Sequence, residues 1–196
     1  MIALGFALRS LFSGDHFMPI DKSNYAWLDS LGTLPRMIVE ARVLVGTLET
    51  PGSANNDVIM GWAREIGGPV KNTFTADAVP WCGLFMAFVA RKAGKTPPAE
   101  PLWALNWGKF GEPAGQPVLG DVLTFIRPHG GHVGLYVGED SEAYHVISGN
   151  VSDQVCFARI EKTRLRAARR PPYMTRPQTA KAYVLAQKGA LSANEG

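Results

Sequence analysis

Cysteine is nearly absent from this chain of 196 residues: only Cys82 and Cys156 occur. Two thiols exclude a disulfide scaffold and leave open a single bond between them. Cys156 lies inside an apolar run, where a lone thiol reads as ordinary core. Long apolar runs are missing too. No uncharged stretch approaches the ~18 residues that a membrane-spanning helix needs, so stable membrane insertion is not expected. Residues 1–8 are apolar, but Arg9 cuts the run short. Without a basic leading region or a small-residue cleavage site they do not read as a secretory signal. The expected route is synthesis in the cytoplasm, with release or delivery by other means if the substrate lies outside it.

Excess charge of either sign is also lacking. Twenty Lys and Arg against 17 Asp and Glu leave a net charge of +3. That suits an anionic surface such as a cell wall and is too weak to argue for nucleic acid. Arg164, Arg166, Arg169, Arg170 and Arg176 form a basic run whose spacing reads as a solvated face. No phosphate-binding glycine loop of the usual kind is present, which removes support for a nucleotide enzyme. His129 and His132 make a His-x-x-His pair, but no carboxylate or cysteine stands nearby at ligand spacing. Neither a metal nor another cofactor is therefore expected.

What the chain does contain is apolar substance: 46% hydrophobic residues against 19% charged, enough for one packed domain with extensions. Residues 1–33 read as an N-terminal extension holding at most one short helix. Apolar positions recur at helical spacing over 34–45, and a second helix is expected near 57–66, ended by Gly67-Gly68-Pro69. The apolar segment from Cys82 to about residue 93 predicts a third, and 102–110 a short helical turn. After Gly120-Asp121 the period changes. Residues 122–126, 133–137, 143–147, 155–160 and 165–169 read as short strands joined by turns. Helices first and a strand meander second is the α+β pattern. A C-terminal tail, 174–196, is expected to carry a helix over 179–188.

The strongest chemical signal is a pair. Cys82 opens an apolar helix after Pro80-Trp81, and His132 follows Gly130-Gly131 at the start of an alternating strand. A helix N-terminus favours a thiolate, and its free N–H groups can serve as an oxyanion hole. An imidazole delivered by a strand can act first as base and then as acid. The pair points to a cysteine hydrolase. A third polar group should orient the ring: Asn150, His145, Ser148, Asp153 or a backbone carbonyl. Strand alternation alone does not choose among them. Trp81 would shield the site from water. Asn55, Asn56 and Trp62 are candidates for a substrate groove, with helix capping and core packing as the plain alternative.

These residues carry a resemblance. Pro51 to Asn56, Asp77 to Cys82, Gly120-Asp121, Gly131 to Gly134 and Gly149-Asn150 occur in the order seen in the CHAP and NlpC-type cell-wall hydrolases. The chain looks closest to compact CHAP-like proteins of phages and prophages, over roughly residues 34–172, and the implied catalytic domain spans 34–173. The resemblance implies a papain-like fold, with the nucleophile helix packed on an antiparallel sheet of about five strands. It implies Cys82 as nucleophile, His132 as base and Asn150 as third residue. NlpC-type relatives carry a second histidine on the following strand, which keeps His145 open. The implied reaction is cleavage of amide bonds in the peptide part of peptidoglycan, by endopeptidase or N-acetylmuramoyl-L-alanine amidase action. The implied setting is a phage lysin or an antibacterial effector. Beyond peptidoglycan, the partners that follow are a holin, a secretion apparatus or an immunity protein. A cysteine hydrolase or transferase acting on another amide, and a non-catalytic wall-binding or virion module, are the alternatives.

Overall fold

The computed structural model describes residues 22–186, 189–193 and 195. The stretch 1–21, most of the expected extension, lies outside the described residues. The remainder of that extension is a 3₁₀ helix, Lys22–Ser30, whose Tyr25 and Leu28 are buried in the core. Helix α1, Arg36–Arg42, is shorter than its apolar pattern predicts. Helix α2, Asp57–Ile66, has the expected bounds. The Asn56 side chain accepts from the N–H groups of Val58 and Ile59 at its start, and Gly67, at φ +71°, ends it. A further helix, α3 (Gly68–Thr73), was not expected: the Gly-Gly-Pro that stops α2 also places a proline in the first turn of the next helix.

Helix α4 spans Cys82–Lys92. Every residue from Cys82 to Ala90 is buried, as suits a helix that is apolar on all sides. It packs between α1 and α2 and the sheet, and a 3₁₀ helix, Ala104–Lys109, leads from it to the strands.

The strands are β1 (Glu112–Pro113), β2 (Val122–Arg127), β3 (Gly130–Glu139), β4 (Ala143–Val151), β5 (Gln154–Glu161) and β6 (Leu165–Arg170). They form one antiparallel sheet in the order β1-β6-β2-β3-β4-β5. The two-residue β1 makes six strands where about five were expected. β4 and β5 join through Ser152 and Asp153, both with positive φ, the geometry of a primed hairpin turn. Only residues 162–164 connect β5 to β6, yet β2, β3 and β4 lie between those strands in the sheet. Four inter-strand spacings are roughly 19 Å, and such a connector reaches roughly 13 Å. The sheet therefore curls. Leu123, Phe125, Tyr136, Val146, Cys156, Ala158 and Ile160 form a core cluster separate from the one packed around α4.

No helix forms over 179–186, the described part of the helix expected at 179–188. The backbone there is taken by the sheet instead. The Glu139 N–H donates to the Tyr183 carbonyl at 2.9 Å, and the Leu185 N–H donates to the Glu139 carbonyl at 2.8 Å. Further on, the Ser192 N–H donates to the Arg159 carbonyl on edge strand β5. These pairings override a sequence of good helix formers. The class is α+β, helices followed by a single antiparallel sheet. Among the described residues no helix is long and apolar enough to cross a membrane.

Candidate functional site

Cys82 is the first residue of α4 and is 3% exposed. The first helical hydrogen bond of the turn runs from the Phe85 N–H to the Trp81 carbonyl. The N–H groups ahead of it have no partner within the helix. Burial pushes the Cys82 pKa up; the N–H groups of Val133, Gly83 and Cys82 itself and the charge of Arg127 pull the other way.

His132 lies at the start of β3 and is fully buried. Its register partner on β2 is Phe125, a member of the inner cluster, whereas Val133 packs with Cys82 around α4. Its Nε2 lies 2.8 Å from Ser148 Oγ. The hydroxyl has a single proton and stands 2.7 Å from the Val133 carbonyl, which can only accept. Ser148 thus donates to Val133 and accepts from His132, so the neutral ring carries its proton on Nε2. Nδ1 keeps its lone pair and is buried without a hydrogen-bond partner. Cys82 and His132 share no hydrogen bond. Burial lowers the His132 pKa to about 4; the Glu195 carboxylate opposes this, and Arg127 and Arg164 add to it. Arg127 Nε donates to the Gly131 carbonyl at 3.2 Å, one residue before His132.

The side chain that bonds the His132 ring is Ser148, which lies with Asn150 on β4. Asn150 is buried at φ +59°, where the strand register shifts between Ser148 and Val151, and it does not bond His132. Asparagine tolerates that left-handed conformation better than most residues, which accounts for its presence. His145 is committed elsewhere. Its Nδ1 meets Tyr25 Oη at 2.7 Å, and its Nε2 meets Asp140 Oδ2 at 2.8 Å. Asp140 also accepts from Arg159 Nε at 2.7 Å. Burial acts against its charge, but Arg159, the Glu142 and Ala143 N–H groups and His145 hold the Asp140 carboxyl well below its usual range. This buried network ties the Lys22–Ser30 helix to β4 and β5, and it has no bond to His132.

The residues expected to line a groove have structural partners. Trp81 is fully buried and donates to Glu49 Oε2 at 3.2 Å. Trp62 is buried against Trp81, Phe85 and Phe88. Asn56 caps α2, and Asn55 Oδ1 accepts from the Asp77 N–H at 2.9 Å. Asp77 in turn accepts from the N–H groups of Thr50 and Asn56, pinning the 50–56 loop beside the approach to Cys82.

His129 is exposed in the turn before β3, and the described residues hold no group of three or more side chains able to ligate a metal. Both cysteines are free. Cys156 sits in the inner cluster, where burial pushes its thiol up to about 12. The basic run is largely tied to the chain itself. Arg164 pairs with Glu195, Arg169 donates to the Phe110 and Gly111 carbonyls, Arg170 pairs with buried Asp121, and Arg176 donates to the Ala180 carbonyl.

Arg127 and Glu195, which bear on the charge of His132, carry no motif that would have marked them in the sequence. No protein-family model matches the chain, and no curated protein matches it in sequence.

Proposed function

We propose that the protein is a cysteine hydrolase that cleaves amide bonds in the peptide part of peptidoglycan. The observation that carries the chemistry is the state of His132. One ring nitrogen is held by Ser148, while the other is buried without a hydrogen-bond partner, and Cys82 opens α4, where the first-turn N–H groups lack helical partners. A buried lone pair without a donor costs stability. In the reaction, Nδ1 takes the thiol proton as sulfur attacks the amide carbonyl carbon. The N–H groups of the α4 first turn receive the oxyanion. The ring then protonates the leaving amine, and a water that loses its proton to Nδ1 releases the acyl group from sulfur. Ser148 accepts the Nε2 proton throughout and keeps the ring in one tautomer.

The papain-like arrangement and the wall substrate rest on the motif order from Pro51 to Asn150 and on the mild positive charge. Phage lysin and antibacterial effector remain the settings that this reading supports, with an endopeptidase or an amidase cut. The test is digestion of purified cell walls followed by mass spectrometry of the fragments. New amino termini should appear with the wild type and be absent with folded Cys82→Ala. Undiminished release by that variant would remove Cys82 from the chemistry.

A second reading, a wall-binding module that keeps the fold without turnover, draws on the burial of both groups and on the missing bond between them. Under it the wild type binds walls and releases no new amino terminus.

A further inference from the structure

One segment ahead of the strands packs on the chain neighbours of both Cys82 and His132. Pro101 and Leu102 lie against Gly83: a Cβ there would stand 2.4 Å from the Pro101 carbonyl oxygen and 2.5 Å from that of Leu102. Further along, Leu105 covers Gly131, where a Cβ would lie 2.4 Å from Leu105 Cδ2. The segment is held in place. Trp107 Nε1 donates to the Pro101 carbonyl at 2.9 Å, and the Trp103 N–H donates to the Glu100 carbonyl at 3.1 Å. Asn106 Nδ2 donates to the Glu100 carbonyl at 3.3 Å. Its outward side chains are free. Trp103 is 70% exposed, and among the described residues no other ring or cation sits against it. Glu100 is exposed, and its carboxylate has no hydrogen bond or ion pair among the described residues. Pro97, Pro98, Pro101, Leu102 and Trp103 form one wall of a cleft of about 440 Å³, and residues 66–70 with Thr73 form the other. Glu100 is the single ionisable residue that lines it.

We propose that this cleft, beside the turn that Cys82 opens, is a subsite for an amine-bearing side chain of a peptide substrate. The aliphatic stem of such a side chain lies along the proline and leucine wall, and its ammonium sits between the Trp103 ring and Glu100. Three properties of the cleft select that chemistry. The apolar wall covers a run of methylenes, which long cationic side chains bury while keeping their heads in water. An open indole face attracts a cation. The one charge in the lining is negative and unpaired, so an ammonium gains a partner there and a carboxylate or phosphate meets repulsion. Trp103 and Glu100 thereby act as specificity-determining residues. That the cleft serves a substrate rests on the hydrolase reading; its selection of an amine does not. Because Pro101 and Leu102 press on Gly83, a side chain seated in the cleft holds its own backbone near the first turn of α4.

The test uses the full chain and two probes, acetyl-Ala-Lys-Ala amide and the same peptide with norleucine in place of lysine. Binding is read from the Trp103 indole N–H resonance in NMR titrations, identified by its loss in Trp103→Leu. Both side chains of the test are exposed, so neither variant removes core packing. The lysine peptide should shift the resonance and bind about fivefold tighter than the norleucine peptide at low salt, the size of one exposed ion pair with a cation–π contact. Glu100→Gln should remove that preference and leave the norleucine peptide unaffected. Trp103→Ala should raise KM for soluble wall fragments about tenfold, with kcat changed less. A Trp103 resonance that the lysine peptide does not move would overturn the proposal. So would equal affinity for the two peptides, or a lysine preference that survives Glu100→Gln. If walls are not cleaved but the preference follows Glu100, the hydrolase reading falls and the amine subsite stands. If walls are cleaved and the resonance ignores both peptides, the subsite falls and the hydrolase reading stands.

Discussion

At the scale of residues, one hydroxyl separates the histidines. Ser148 holds His132 by Nε2, and Asp140 with Tyr25 holds His145. The two rings therefore answer differently to removal of their partners. Ser148→Ala strands the Nε2 proton without an acceptor and frees the ring to turn. Turnover should fall roughly ten- to a thousand-fold with KM little changed, as loss of an orienting group does. Ser148→Thr, which keeps a hydroxyl, should recover most of it. Asn150→Ala should cost less turnover than Ser148→Ala. His145→Ala should leave turnover per folded molecule near normal and cost about 1–3 kcal/mol in urea denaturation, because Tyr25 and Asp140 lose a buried partner. A His145→Ala enzyme more impaired than Ser148→Ala would return the orienting role to the second histidine.

At the scale of elements, two glycines set how closely α4 approaches its neighbours. A Cβ at Gly149 would lie 2.6 Å from the Trp81 ring and 2.7 Å from Phe85 Cβ. A Cβ at Gly83 would press on the Pro101 and Leu102 backbone carbonyls. Both positions bear on the first turn of α4, which Cys82 opens. Gly149→Ala and Gly83→Ala should each cost about 1–3 kcal/mol through overpacking. Gly115→Ala, with open space around it, should stay within about 0.5 kcal/mol. Urea midpoints of the three variants test this. A neutral Gly149→Ala would mean that β4 and α4 do not meet so closely.

At the scale of the whole molecule, burying His132 makes stability depend on pH. Its pKa is about 4 in the folded protein against 6.5 for a free ring, and burial is the chief cause. Between those values the unfolded chain binds the proton and the folded chain does not. The contribution is thus full above pH 6.5 and is lost as pH falls toward 4, a change of at most about 3 kcal/mol. The His145 pKa is lowered too, again mainly by burial, and adds in the same direction. Urea denaturation at pH 7.5 and 4.5 should show the wild type losing more stability than His132→Gln. Equal losses would show that the ring is not kept neutral and buried.

The sequence by itself determined what short-range physics controls. The Asn56 cap and Gly67 stop bound α2, the change of period after Gly120-Asp121 marks the strands, and Cys82 and His132 stand at the starts of a helix and a strand. Other features waited on contacts between distant segments. Which β4 residue faces His132 depends on a register shift between Ser148 and Val151, and one residue of slip turns every side chain to the other face. His145 found its partner in Tyr25, 120 positions away, which no local pattern encodes. The 179–186 stretch has helical composition, yet the ends of β3 and β5 offered its neighbourhood backbone partners that an isolated helix could not match. Arg127 and Glu195, 68 positions apart, meet through a hydrogen bond that no local pattern encodes.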